Sequence, residues 1–192
     1  MSNPKNPDPA KLVVGCIMNN KADIDRLYPL LEDIFGTVDM ISPWFEFVYT
    51  DYYYKEMGSP LYRKVFVFKP LIAQDDLASI KEKTNDLELR FTTDGNRSIN
   101  IDPGYLVSSR FILATGKEYS HRIYIGNKIY ADLTLMYSKK NGFQTLEWTY
   151  PDYASKSMIS FLIKVRSKYL VDLKASRLKH AENKQIEEKQ ND

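Results

Sequence analysis

Cysteine and histidine are scarce in this chain of 192 residues. The one cysteine, Cys16, excludes a disulfide within the chain and a zinc site made of thiolates. The two histidines, His121 and His180, lie far apart, so we predict no metal site, and the sequence specifies no cofactor. No apolar run is long enough to cross a membrane, and no secretory signal is present. We therefore expect a cytoplasmic protein without a membrane partner.

Two phosphate-binding motifs are also missing. The chain contains neither GxxxxGK followed by Ser or Thr nor GxGxxG after its first predicted strand, which argues against P-loop and dinucleotide-binding folds. The segment "NKAD" at 20–23 matches a guanine-binding pattern, but we interpret it as chance because the phosphate loop is absent. Lys and Arg number 27 against 25 Asp and Glu, a net charge of +2. Duplex DNA requires a basic stripe, so duplex DNA is not an expected partner.

Aromatic residues, in contrast, are abundant, at 13% of the chain, with 14 tyrosines. Tyrosine packs like an apolar residue yet keeps a polar tip, so this content favours binding surfaces. The hydrophobic fraction of 43% and the charged fraction of 27% are ordinary for a soluble domain. We predict a flexible leader at 1–10, a single domain at 11–175 and a charged, mobile tail at 176–192.

The order of apolar patterns predicts an α+β domain with an antiparallel-rich sheet. A continuous apolar run predicts a strand at 12–18, and an alternating run predicts another at 61–68. Apolar residues at helical spacing predict helices over 24–35, over 77–91 and, after Ser155, over the start of the last segment. Strand, helix, strand, strand, helix, strand is the order of a ferredoxin-like βαββαβ core, here followed by a β-meander. The prediction is therefore three helices and one sheet.

The meander places a histidine beside a carboxylate. With Gly126-Asn127 as a two-residue turn, His121 faces Asp132, and Tyr130 lies on the same side of the sheet. A carboxylate that binds one imidazole nitrogen orients the ring as a general base, so His121 and Asp132 are the candidate catalytic pair. The alternative is a charge pair on a solvated face. Treating Asn141-Gly142 as the next turn puts Thr134 opposite Thr149.

The segment "NRSINIDPGY" carries a second polar cluster. Asp-Pro-Gly is first of all a turn sequence, and we expect a sharp turn there. The functional alternative is that Arg97, Asn100 and Asp102 lie on a loop at the edge of a cleft and bind a polar ligand. Arg63, Arg122 and Lys117 would join them if their strands are neighbours, since guanidinium groups match phosphate and carboxylate. Structural ion pairs would explain the same residues equally well.

The segment "TDYYYKEMG" at 50–58 places three tyrosines beside charges. In a strand, Tyr53 would point to the opposite side from its two neighbours, so one side could pack while the other lines a cleft with Glu56. A strand end covered by aromatic edges is the alternative.

Four segments together, "TDYYYKEMG", "INIDPGY", "HRIY" and "EWTYPDY", resemble an uncharacterised bacterial family of unknown function, and they occur in this order over nearly the whole chain. The resemblance implies a single cytoplasmic domain, and it implies that the polar positions of these motifs matter. It supplies no activity, substrate or catalytic residue. The positions that it marks are Tyr53, Glu56, Arg63, Arg97, Asn100, Asp102, His121, Arg122 and 150–153.

From these observations we predict a cleft lined by Tyr, Arg and His that binds a small anionic ligand, namely a nucleotide or another phosphate ester. Hydrolase or transferase activity at His121 and Asp132 is an extension of this prediction. An RNA-binding module and a protein-interaction or scaffold role are the alternatives. The oligomeric state is not determined by the sequence. The predicted ligand-binding residues are Tyr53, Glu56, Arg63, Arg97, Asn100, Asp102, Arg122, Tyr130 and Asp152.

Overall fold

The computed structural model describes residues 3–190 and is an α+β protein built on one large antiparallel sheet. The strands are β1 (Ala10–Met18), β2 (Val38–Ile41), β3 (Phe45–Glu46), β4 (Tyr62–Ile72), β5 (Thr92–Thr93), β6 (Asn96–Arg97), β7 (Ile99–Val107), β8 (Arg110–Thr115), β9 (Arg122–Gly126), β10 (Ile129–Ser138) and β11 (Gly142–Thr145). The helices are α1 (Ile24–Phe35), α2 (Tyr54–Met57), α3 (Leu77–Leu89) and α4 (Lys156–Gln190).

The sheet contains the predicted ferredoxin-like core. Its order is β11-β10-β8-β7-β1-β4-β2, with β3 beside β4 and β9 beside β10. Strands β1 and β4, which precede α1 and α3, lie next to each other in the centre of the sheet. They are flanked by β2 and β7, the next strands of this sheet after the two helices. All of these pairs are antiparallel, as two interleaved βαβ units require. Strand β8 and the strands after it then extend the sheet beyond β7.

Each face of the sheet has its own apolar core. On one face, Leu27 and Leu31 of α1 and Ile80 and Leu87 of α3 pack against the alternate β1 side chains that begin with Leu12. On the other face, α4 buries a stripe at helical spacing: Met158, Phe161, Leu162, Val165 and Tyr169. Each fully buried side chain of this size contributes about 1.5–3 kcal/mol. The three predicted helices are α1, α3 and α4, and α2 is a single additional turn.

The Asp-Pro-Gly sequence is not the predicted turn. Asp102, Pro103 and Gly104 lie inside β7, extended and paired with β1 along their whole length. The pairing of β7 with β8, however, ends at Gly104 and Leu113. Gly104 is required there because a Cβ at this position would lie 2.3 Å from the carbonyl oxygen of Ile112.

Pro103 explains why the ladder stops. The backbone N–H and C=O of Ile101 bind side chains of α3 and point away from β1. Because the direction of the backbone hydrogen bonds alternates from one residue to the next, Pro103, two residues on, directs its nitrogen to the same side as Ile101, which is the side of β8. Proline has no N–H to donate. Beyond Gly104 the two strands therefore separate: β7 stays with β1, while β8 stays with β10 as far as Thr115.

The hairpin between β9 and β10 differs from its prediction by one residue. Asn127 and Lys128, both at positive φ, form the turn, and the register of the two strands shifts by one residue between Ile129 and Tyr130. Together these two features pair Arg122, rather than His121, with Asp132. Two consecutive positive φ values are what a type I′ hairpin turn requires. The predicted meander is incomplete as well, because β9 and β11 lie along the same edge of β10.

The second predicted turn is also displaced. Ser138 pairs with Gly142, so residues 139–141 form the connection, and β11 already ends at Thr145. Thr149 still approaches Thr134, because its hydroxyl donates to the Thr134 carbonyl at 2.6 Å. Trp148 and Tyr150, on either side of Thr149, are exposed.

The tyrosine segment and the C-terminal segment both contain helical structure that the sequence analysis did not predict. Residues 50–58 are a turn followed by α2, not a strand end. Helix α4 continues through 176–190, so this part of the predicted tail is helical, while its mobility stays a prediction and residues 191–192 lie outside the described residues. Within residues 3–190, none of the helices combines the length and apolar content that crossing a membrane requires.

A buried lysine joins α4 to the sheet. The fully buried Lys11 of β1 donates to Asp172 of α4 at 2.6 Å and to Asp39 of β2 at 3.2 Å, and Lys168 contacts the same two carboxylates. Burial opposes the charge on Asp39 and Asp172, but hydrogen bonds from Lys168 and Lys11 outweigh it and hold the pKa of each below its ordinary value.

Gly104→Ala tests the close approach of β7 and β8. Its methyl group would collide with the Ile112 carbonyl, so we expect a loss of about 1–3 kcal/mol in the free energy of unfolding, measured by urea denaturation. Gly116→Ala is the matched control, because a Cβ there meets no atom within 4 Å. Equal stability of the two variants would contradict this account of the strand contact.

Asp172→Asn tests the Lys11 cluster through pH. A carboxyl group whose pKa is depressed on folding stabilises the fold above its unfolded pKa, here 3.8, and this contribution is lost as the pH falls below that value. We therefore expect urea midpoints of the parent protein to fall between pH 7 and about pH 3, and to fall less in Asp172→Asn. Asp33→Asn, an exposed control on α1, should behave like the parent. Parallel pH profiles for all three proteins would refute the assignment.

Candidate functional site

A cavity of about 500 Å³ opens where β7 and β8 separate, and we call it the cleft. Its floor is formed by β7, the end of β8 and Asp132 of β10, while residues 47–53 and 150–153 form its walls. A volume of this size suits a small-molecule ligand. Seven of the residues predicted from sequence line it: Tyr53, Arg63, Arg97, Asn100, Asp102, Asp132 and Asp152.

Side chains of α3 take the place of the missing strand partner beside β7. Lys81 donates to the carbonyl of Ile101 at 2.7 Å, and Glu88 accepts from its N–H at 2.7 Å. Unpaired buried backbone groups are costly, so these contacts let the floor of the cleft remain open without β8. Burial raises the pKa of Glu88, although Lys81 and Arg97 act in the opposite direction.

Arg97 is held by two carboxylates. Its guanidinium makes a bidentate contact with Glu56 of α2, at 2.6 and 2.9 Å, and a further hydrogen bond with Glu88. These hydrogen bonds from Arg97 lower the pKa of Glu56. Arg97 also donates to the side chain of Asn100 at 3.3 Å, and Asn100 in turn donates to Asp102 at 2.8 Å. Through Arg97 of β6, the cluster connects α2, α3 and β7.

Arg63 lies at the centre of the cleft and is almost fully buried. Its Nε is 2.7 Å from Asp152 Oδ2, an ion pair whose angles do not make an aligned hydrogen bond, and its Nη1 donates to the Tyr153 hydroxyl at 3.1 Å. Asp102 lies 3.7 Å away on the other side. Burial opposes the Arg63 charge, yet these neighbours keep its pKa above the ordinary value. Gly15 makes room, since a Cβ there would lie 2.7 Å from both Arg63 and Tyr153.

Lys117 differs from these two arginines. Lys117 lines the cleft, and its ammonium lies 3.3 Å from the Tyr52 hydroxyl and 4.3 Å from the centre of that ring. Among the side chains that the structure describes, those of residues 3–179, 181 and 182, no carboxylate lies within ion-pair distance of it. Lys117 is thus a cation at the cleft whose charge is not neutralised by the protein.

The predicted pair of His121 and Asp132 is in contact despite the shifted hairpin. His121 Nε2 lies 3.3 Å from Asp132 Oδ2, but the same oxygen accepts from Arg122 Nε at 2.9 Å, and Thr134 donates to the other oxygen. Asp132 is therefore buried and shared among three side chains. The His121 ring stacks on Trp148, with ring centres 4.8 Å apart and planes inclined by 12°.

Four of the predicted residues do not line the cleft. Glu56 lies behind Arg97, and Arg122 lies behind Tyr150, to whose hydroxyl it donates at 2.6 Å. His121 belongs to a column of rings with Tyr119 and Trp148 outside the cavity. Tyr130 packs edge-on against Tyr124, also outside it. Their predicted functional roles stay predictions.

Sequence analysis missed Lys81 and Glu88, although a signal for them exists. Both occupy positions of the apolar stripe of α3, next to Ile80 and Leu87, and both are buried. A charged residue on the buried face of a helix must find a polar partner, so it is a candidate site residue. The partner, the backbone of Ile101, becomes visible only in the tertiary structure.

Arg63→Met tests whether the central ion pair holds the cleft together. It leaves the buried carboxylate of Asp152 without its cation, so we expect a loss of about 3–5 kcal/mol in the free energy of unfolding. The double variant Arg63→Met/Asp152→Asn should lose less free energy of unfolding than the sum of the losses in the two single variants, because the unpaired charge of Asp152 is then absent. The exposed Arg90→Met should change stability by less than about 0.5 kcal/mol. Strict additivity of the two changes would contradict the pairing.

Comparison with known proteins gives a family and no activity. The family model described as a domain of unknown function, DUF4416, matches residues 8–169, which include the whole sheet and most of the packed part of α4. No curated protein matches the chain, and no solved structure does. Because the match spans far more than half of the 192 residues, the chain belongs to the DUF4416 family of unknown function.

Proposed function

We propose that the cleft binds a small anionic ligand, a nucleotide or another phosphate ester. The observation that carries the proposal is Lys117, which lines the cavity and whose ammonium has a tyrosine hydroxyl as its partner. Arg63 and Arg97, in contrast, are already neutralised by carboxylates of the protein. An entering phosphate therefore gains most from Lys117, which loses only a weak contact with Tyr52.

The wall of the cleft supports a ligand that also carries a ring. Tyr49, Tyr52, Tyr53 and Tyr150 line the cavity, and all of them except Tyr53 are also exposed to solvent. Aromatic faces bind rings by stacking, which contributes about 0.5–1.5 kcal/mol beyond the buried area. A ligand with a ring at one end and a phosphate at the other would use both features.

Catalysis is not included in this proposal. His121 contacts Asp132, as a general base with its orienting carboxylate would, but the imidazole lies outside the residues that line the cleft. Asp132 is also engaged by Arg122. We further propose that the protein works in a reducing compartment such as the cytoplasm, since its single cysteine, Cys16, is a buried free thiol.

Binding of single-stranded RNA is the second candidate function. The column formed by Tyr119, His121 and Trp148 favours it, because two of its rings are exposed and bases stack on such platforms. The column lies close to the cleft, to which it is linked through Arg122 and Tyr150. The net charge of +2 is low for a protein that binds a nucleic acid backbone.

Lys117→Gln tests the main proposal. Calorimetric titration of nucleoside monophosphates and sugar phosphates should give a dissociation constant that rises by about 10-fold or more in this variant, because a charged hydrogen bond is lost. The exposed Lys140→Gln, on the β10–β11 connection, should bind like the parent.

Short RNA oligonucleotides in the same titrations separate the two candidates. Binding of RNA alone, weakened by salt and by Trp148→Ala, would favour the second function. Absence of binding to any of the phosphate esters, with the protein folded, would refute the first.

A further inference from the structure

Three carboxylates line the cleft, and they differ in what already binds them. Asp132 is almost completely buried and engaged by three side chains. Asp152 is also buried and faces Arg63 at 2.7 Å. Asp102 is the most open of the three, with its side chain 25% exposed, and it projects from β7 just beyond the point where the ladder with β8 ends.

The two oxygens of Asp102 have different surroundings. Its Oδ2 accepts from Asn100 at 2.8 Å and lies 3.7 Å from Arg63 Nη2. Lys81 Nζ lies 3.9 Å from its Oδ1, beyond hydrogen-bond distance. Lys81 is itself held by the carbonyl of Ile101. Among the described residues, no side chain or backbone group donates a hydrogen bond to Asp102 Oδ1.

The chemistry of this oxygen restricts the ligand. An ionised carboxylate oxygen accepts hydrogen bonds and donates none, so its partner must be a hydroxyl or an amine. A phosphate or carboxylate group placed against Oδ1 would be repelled. The fixed position of Asp102, oriented by Asn100 on one side and Arg63 on the other, is that of an acceptor prepared for a donor.

We propose that Asp102 Oδ1 accepts a hydrogen bond from a hydroxyl of the ligand, so that the ligand class is a hydroxyl-bearing phosphate ester, a sugar phosphate or a ribonucleotide. This inference rests on the proposed function of the cleft. It adds a second contact point: Lys117 binds the anionic group, and Asp102 selects for the sugar. Inorganic phosphate and esters without free hydroxyls use only the first.

Matched ligand pairs test this selectivity. The four ribonucleoside 5′-monophosphates, their 2′,3′-dideoxy analogues, ribose 5-phosphate and inorganic phosphate would be titrated by calorimetry into the full-length protein. We expect each hydroxylated ligand that binds to do so about 10-fold or more tightly than its dideoxy partner, since a hydrogen bond to a charged group is lost in the analogue. Equal affinities within every pair would overturn the inference.

Asp102→Asn assigns the preference to this residue. The amide keeps the shape but loses the anionic acceptor, so we expect the ratio of affinities within each pair to fall towards one, while dideoxy analogues bind as before. Asp33→Asn, an exposed control on α1, should keep the parent ratio. If Asp102→Asn retains the full preference, another group binds the hydroxyl and the inference is wrong.

The results separate this inference from the proposed function. If the dideoxy analogues and inorganic phosphate bind as tightly as the hydroxylated ligands, the proposed anion site is retained and only the role of Asp102 is refuted. Failure of every phosphate compound to bind the folded parent protein removes both. If Asp102→Asn does not fold, as thermal unfolding would reveal, the ratios measured on the parent protein still decide the ligand class.

Discussion

The missing N–H of Pro103 is the constraint on which the cleft depends. A proline in a central strand cannot complete the ladder with a neighbour, and here it faces β8, so the two strands separate beyond Gly104. The tight contact at Gly104, where no side chain could be accommodated, keeps the strands together up to that point. The sheet is thus continuous on one side of this boundary and open on the other.

An opening in a sheet leaves backbone groups without partners, and α3 resolves this problem. Lys81 and Glu88 bind the carbonyl and the N–H of Ile101 as a strand would. The charge of Glu88 is balanced by an ion pair with Arg97, and Arg97 in turn forms an ion pair with Glu56. The main role of the polar cluster is therefore to stabilise the open sheet. Only polar groups that are not engaged within the cluster are available to bind a ligand.

This distinction separates the residues that stabilise the cleft from those that we propose bind a ligand. Arg63 and Arg97, which sequence analysis assigned to an anion, are largely engaged by carboxylates of the protein. Lys117 and one oxygen of Asp102 keep unused capacity, one as a cation and the other as an acceptor. In the function that we propose, these two groups bind the anion and a hydroxyl of the ligand, and the tyrosines around them stack on its ring.

Periodicity of apolar residues determined the secondary structure and the ferredoxin-like core, because burial of a helix stripe or a strand face is a local requirement that any tertiary context must satisfy. The sequence alone also brought His121 near Asp132, although Arg122 is the residue paired with Asp132, because neither the turn at Asn127 and Lys128 nor the register shift beside it was foreseen. Local signals were wrong for Asp-Pro-Gly, which resembles a turn in isolation. Its role inside β7 depends on which strand lies beside Pro103, and strand neighbours are decided only by long-range packing. The same reason hid the contacts of Lys81 and Glu88 with Ile101, since residues distant in sequence meet only when the tertiary structure places α3 beside the open edge of β7.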